Sequence, residues 1–172
     1  MVTTPSAHLV PGTLCTARLT LLPLRVSHAE EMAAVLSDPA LHGFIGGAPY
    51  SPEDLRTRYE RLVAGSPDPA VSWCNWVIRL DDADCLVGTV QATVSEGVAE
   101  IAWVVGTAWQ RRGIATEAAR GLIGWLRAGG VRTVVAHIHP DHAASAAVAG
   151  AAGLMPTDHL HDGEVRWQSA TG

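Results

Sequence analysis

The stretch Ile101–Ala119, IAWVVGTAWQRRGIATEAA, gathers residue types suited to holding a phosphate group. A β-rich run passes through a short polar loop, Gly106–Arg112, and enters a helical pattern at Gly113. The first turn of a helix leaves about four amide N–H groups without intrahelical acceptors and carries roughly half a positive charge. Its open end is therefore a natural phosphate site. Gly113 lets backbone approach a ligand closely and Ala115 keeps the path clear, while Arg111 and Arg112 offer cationic donors to phosphate oxygens. The same residues also read as a glycine-started helix with two solvated arginines.

A second concentration is His137, His139 and His142, an HxHxxH pattern. On a strand the first two project to one face. Zinc needs a third ligand, often with a carboxylate, and Asp141 is adjacent, but the spacing matches no zinc pattern. The cluster reads as the lining of a ligand cleft, and no metal is expected. Cys15, Cys74 and Cys85 are odd in number, lack CxxC spacing and have no His/acid context, so they read as inert thiols in a reducing cytoplasm.

Periodicity supplies the elements that must position these groups. Ala17–Leu24 reads as a first strand. Ser27 and Glu30 form a capping-box pattern ahead of a helix through Leu36. Ser51-Pro52-Glu53-Asp54 starts a second helix with Leu55, Tyr59, Leu62 and Val63 as its buried stripe, stopped at Gly65. Trp73–Leu80, Leu86–Val94 and Val98–Val105 form a meander joined at Asp81–Asp84 and Glu96-Gly97. Gly113–Ala128 is a helix with Ile114, Ala118, Leu122, Trp125 and Leu126 on one face, ended by Gly129-Gly130. Thr133–His139 is a strand, His142–Ala152 an Ala-rich helix, and Met155–Leu160 with Glu164–Gln168 a closing hairpin. A meander followed by a strand–helix–strand crossover gives a mixed α/β fold, with a central, mostly antiparallel sheet of six to seven strands and helices on both faces.

The 172 residues fit one domain, 1–172, with residues 1–16 expected to be loosely ordered. Apolar residues at 48% and charged residues at 17% suit a globular chain. A net charge of −5 without a basic block argues against nucleic acid. Met1–Thr16 does not read as a signal peptide, and no apolar run approaches the ~18 residues of a membrane span. These features point to the cytoplasm and away from a membrane.

Gln110-Arg111-Arg112-Gly113-Ile114-Ala115 resembles the Q/R-x-x-G-x-G/A loop of the GNAT N-acetyltransferases. Thr116-Glu117-Ala118 continues it as in the Rim-type, ribosomal-protein N-terminal acetyltransferase branch. Arg18-Leu19-Thr20-Leu21 is similar to that branch's opening strand, and Gly88 ahead of Thr89–Thr93 to its "iG" element. The element order agrees over roughly Ala17–Gln168.

The resemblance implies acetyl-CoA as co-substrate and direct transfer of its acetyl group to a primary amine, on a protein N-terminus or a small molecule. It implies a CoA site made by Gln110, Arg111, Arg112, Gly113, Ile114, Ala115 and Thr116, with backbone at Trp103, Val104 and Val105 pairing the pantetheine arm where two strands splay. Glu100, where related sequences often carry Glu, is the candidate base; it also reads as a solvent-facing residue beside a turn. Ser145 falls on the Ser of the family's N-x-A-S helix, a candidate proton donor to the thiolate or a first-turn Ser bonding backbone.

Two departures stand out. His142 replaces the usual Asn, so a CoA contact there is altered in form. Ala149 replaces a Tyr acid found in many relatives. Phe44, Tyr50, Trp73 and Trp76 come from regions that flank the acceptor in this superfamily; Phe44, Tyr50 and Trp73 are candidate acceptor contacts, with core packing expected for at least two of the four. The expected partner is the amine acceptor, met by a monomer or homodimer. His142 and Ala149 also favour a second reading, a non-catalytic acyl-CoA sensor or regulatory module.

Overall fold

Period-two alternation runs through the middle of the chain, and it becomes sheet there. The computed structural model describes residues 9–45 and 47–170, with the side chains of Phe44 and Ile45 outside the described set. The strands are β1 (Leu14–Cys15), β2 (Leu19–Pro23), β3 (Val71–Leu80), β4 (Cys85–Ser95), β5 (Val98–Val105), β6 (Thr133–Ile138), β7 (Leu154–His161) and β8 (Glu164–Ser169). The α-helices are α1 (Ala29–Val35), α2 (His42–Ile45), α3 (Pro52–Ala64), α4 (Ile114–Ala128) and α5 (Ala143–Ala151).

All eight strands join one sheet in the order β1-β2-β3-β4-β5-β6-β8-β7. The expected count of six to seven is short by β1, whose Leu14 and Cys15 pair with Leu21 and Thr20. A two-residue strand has no periodicity to detect; only pairing with β2 defines it. Antiparallel pairing holds throughout except between β5 and β6, which α4 joins as a crossover. The tight turns at Glu96-Gly97 and Asp162-Gly163 have both central residues at positive φ, the geometry that matches strand twist.

Helices cover both faces. The larger core joins β2–β6 to α4 and α5, with Trp76, Ile78, Leu122 and Leu126 at its centre. Trp76 is fully buried, meets Trp125 of α4 edge-on at 5.0 Å, and donates its indole N–H to Gly12 O at 2.8 Å. Of the four aromatics, Trp76 is therefore core. The smaller core lies on the opposite face, where Met32 of α1 and Leu55 and Tyr59 of α3 meet Val77 and Leu86.

Two local expectations need correction. Ser27 does not cap α1; it lies in a 3-10 turn, Val26–His28, where Arg25 N–H donates to His28 Nδ1 at 3.0 Å. The imidazole makes, for the 3-10 turn, the reach-back contact that the capping-box pattern assigned to Glu30. Val63 is exposed rather than part of the α3 stripe, because the helix lies on the sheet through Leu55 and Tyr59. By contrast Ser51 Oγ accepts from Asp54 N–H at 3.1 Å, the expected cap of α3.

Candidate active site

β5 and β6 run side by side only over Val98↔Thr133, Ala99↔Val134 and Glu100↔Val135. Past Glu100, β5 stays with β4 up to Gly88↔Val105, while β6 follows β8 to Ile138↔Val165. The two strands thus splay, and the β6-facing edge of Ile101–Val105 is left without a strand partner. Such an edge offers amide and carbonyl groups to an extended, amide-bearing ligand. A cleft of about 100 Å3 occupies the splay, lined among others by Trp103, His137, His139, His142 and Ser145. On the other side of β5, Gly88 lets β4 lie close: a Cβ there would fall 2.2 Å from Val104 O. A smaller depression, about 30 Å3, lies at the Glu96-Gly97 end of the sheet, far from these groups.

At the mouth of the splay the chain turns into α4. Arg111 (φ 64°) and Gly113 (φ 75°) are both left-handed, which curls the loop back on itself. Gly113 begins α4 with no side-chain cap. Among the described residues, no acceptor takes the amides of Arg111 to Thr116. An uncapped, outward-facing set of amides at the positive end of a 15-residue helix fits a diphosphate. Arg111 and Arg112 are exposed beside it. Gln110, itself exposed, donates its side-chain N–H to Val105 O at 3.0 Å and ties the loop to the end of β5.

The cradle is braced from β2's side by groups the sequence reading did not assign. Glu117 Oε2 accepts from Thr16 Oγ1 at 2.5 Å and from Arg18 N–H at 2.9 Å. Its Oε1 accepts from Arg18 Nε at 2.8 Å, and Arg18 Nη1 donates to Arg112 O at 2.9 Å. Burial works to raise the Glu117 carboxyl, but the Thr16 hydroxyl and the Arg18 amide and guanidinium outweigh it and hold it below the usual value. Two motif fragments about a hundred residues apart are thus a single ionic clasp.

Acid–base groups reach the splay in two pairs. On the face opposite α4, Glu100 Oε1 meets His137 Nδ1 at 2.9 Å. On α5, Ser145 Oγ meets His142 Nε2 at 3.3 Å. His142 is pushed below the ordinary imidazole value by burial and then by the charge of His139, so it is neutral at neutral pH. Arg120 of α4 donates to Ala151 O through Nε (3.0 Å) and Nη2 (2.8 Å), holding the far end of α5. Ala149, one turn beyond Ser145, is fully buried in the larger core. Among the described residues, no group of three or more His, Cys, Asp or Glu side chains is gathered for a metal.

The register also places the aromatics. Trp73↔Thr93↔Glu100 is one row across β3, β4 and β5, so these side chains share a face. Trp73, about 10 Å from Glu100 at two strand spacings, is half-buried there. Tyr50 is exposed, with the Arg58 guanidinium carbon 5.8 Å from its ring centroid. The side chain of Phe44 lies outside the described residues.

The sequence profile of the acetyltransferase (GNAT) domain matches residues 18–155. The chain belongs to this family. As a GNAT protein it is an acyl-CoA-dependent acetyltransferase with acetyl-CoA as donor, and the cradle's open amides and the unpartnered β5 edge fit that donor.

Solved structures repeat the GNAT architecture at low identity. An acetyltransferase (GNAT family) from Bacillus anthracis superposes with TM-score 0.75 at 19% identity, covering 91% of this chain and 95% of that one. A ribosomal-protein-S5-alanine acetyltransferase from Vibrio fischeri gives 0.75 at 16%, covering 94% and 97%. The microcin C7 self immunity acetyltransferase MccE, in complex with acetyl-CoA and AMP, gives 0.74 at 18%, covering 90% and 93%. No curated protein matches the chain in sequence. No described helix is long and apolar enough to cross a membrane.

Arg18 and Arg120 are residues around the candidate site that sequence reasoning left without a role, and His137 was read only as cleft lining. Arg18 and Arg120 act through contacts distant in sequence, which no local spacing reveals. His137 was visible in HxHxxH, but its partner Glu100 lies on another strand.

Proposed function

We propose that this acetyltransferase moves the acetyl group of acetyl-CoA to a primary amine by direct attack within the β5–β6 splay. The observation that carries this reading is the coincidence of three features: the unpartnered strand edge, the uncapped start of α4, and acid–base pairs reaching the same cleft. The diphosphate rests on the amides of Arg111–Thr116, flanked by Arg111 and Arg112, and the pantetheine arm adds to the edge at Trp103–Val105. His142 replaces an amide contact with an imidazole one. The pair containing Glu100 accepts the amine's proton, and Ser145 is placed to protonate the departing thiolate. The buried methyl of Ala149 offers no alternative acid.

The acceptor enters over the face bearing Trp73 and Glu100, with Tyr50 and Phe44 contributing from the α2–α3 region. A peptide N-terminus is favoured by the Rim-type loop and opening strand, and a small-molecule amine remains the second acceptor class. The chain acts as one acetyltransferase domain, as a monomer or homodimer. Cys15, Cys74 and Cys85 are free thiols, which suits a reducing cytoplasm.

The test is thiol release from acetyl-CoA with a panel of peptides, amino acids, polyamines and aminoglycosides, each read for a 42 Da gain (about the mass of an acetyl group less hydrogen). Turnover with at least one amine is expected. Tight CoA binding with no release across the panel points instead to the acyl-CoA sensor.

A further inference from the structure

We infer that His137, not Glu100, is the base that takes the acceptor's proton, and that Glu100 is its positioning residue. The inference rests on the transfer reading above and deepens it. A carboxylate only accepts hydrogen bonds, so the 2.9 Å contact between Glu100 Oε1 and His137 Nδ1 requires the proton on Nδ1. That leaves Nε2 with its bare lone pair. The His137 side chain is 15% exposed and lines the cleft, while that of Glu100 is 55% exposed. The imidazole is therefore the member of the pair buried at the reacting gap, and the carboxylate is the member facing solvent. A second ring lies beside it: His161 of β7 is 5.0 Å away, centroid to centroid, tilted by 39°. Imidazole and orienting carboxylate then stand as base and orienting group do in acid–base sites generally.

In the step, the amine nitrogen bonds to the acetyl carbon, gives one proton to His137 Nε2, and the C–S electron pair leaves on sulfur. The imidazolium is stabilised by Glu100 and later returns its proton to solvent, so amide, thiolate and one proton account for all atoms. The charged and titratable groups facing His137 are Glu100 on β5, Arg166 and Glu164 on β8, His161 on β7, and His139, Asp141 and His142 beyond the end of β6.

Two readouts test this. Nitrogen NMR of histidine-labelled protein is expected to show His137 protonated on Nδ1, moving toward the Nε2–H form in Glu100→Ala. A His137 protonated on Nε2 in the unaltered protein overturns the proposal whether or not an acceptor is known. In transfer assays, His137→Asn is expected to lose about 10²-fold or more in kcat and the acid limb of the kcat/KM profile, with CoA affinity unchanged. Glu100→Gln is expected to keep the limb and lose rate only in part. If His137→Asn keeps rate and limb while Glu100→Gln loses both, Glu100 acts directly and the proposal fails. Absence of transfer by the unaltered enzyme, with the Nδ1–H form present, sinks the transfer reading and not the tautomer.

Discussion

At the scale of single residues, charge in this protein is used through partners. Glu117 shows the principle most plainly. Its carboxylate accepts from Thr16 and twice from Arg18, and Arg18 reaches on to the carbonyl of Arg112. Because the folded carboxyl titrates below its ordinary value, its stabilisation is present at neutral pH and is lost as pH falls from the usual glutamate range through the lower folded value. Glu117→Gln is therefore expected to cost about 1–2 kcal/mol at neutral pH, solvent screening included. The gap to the unaltered protein should close in acid. Urea unfolding across pH checks this, and a gap constant from neutral to acid would remove charge from the explanation. Cys74 is the converse case. Burial pushes its thiol up to about 11, which keeps it inert beside Leu9 O.

At the scale of elements, the start of α4 is the decisive piece. Gly113 adopts φ 75°, where a side chain is strained even though space is open, the nearest atom to a Cβ being Arg18 Nη2 at 3.4 Å. Gly113→Ala is expected to cost about 1 kcal/mol through strain alone, with CoA affinity reduced only modestly. Gly113→Glu adds the same strain plus a carboxylate at the proposed diphosphate site, and CoA binding should disappear by calorimetry. Equal affinities in the two variants would show that the amides of α4 do not hold the anion. The sheet contributes in a different way: β5 is held by β4 on one side, down to the Gly88–Val104 approach, and is released by β6 on the other.

At the scale of the whole molecule, the proposed donor site joins the contiguous β5 edge and α4 start to the α5 start about thirty residues further on. A ligand that binds only the assembled arrangement stabilises it by mass action. At about 100 times its Kd, CoA should add roughly 2.7 kcal/mol. For a chain of this size that is a rise of about 5–10 °C in Tm. Thermal scans with acetyl-CoA, CoA and ATP check it. An equal rise with ATP would mean a general phosphate site and not a CoA cleft.

The sequence by itself determined the order of the longer elements, the face of α4 that packs inward, the Ser51 cap, the two positive-φ turns and the glycine-started entry into α4, because each is encoded by neighbours within about one turn or one hairpin. The family resemblance was legible for the same reason, since its motif is six contiguous residues. Only the tertiary structure decided the rest. The splay after Glu100 is a register event between strands joined through a helix. The Glu100–His137 and Arg18–Glu117 contacts join residues 37 and 99 positions apart. The addition of β1 and the exposure of Val63 depend on what the fold places beside them. Local spacing specifies which groups an element carries; packing specifies which of them meet, and in this protein the proposed chemistry lies in the meeting.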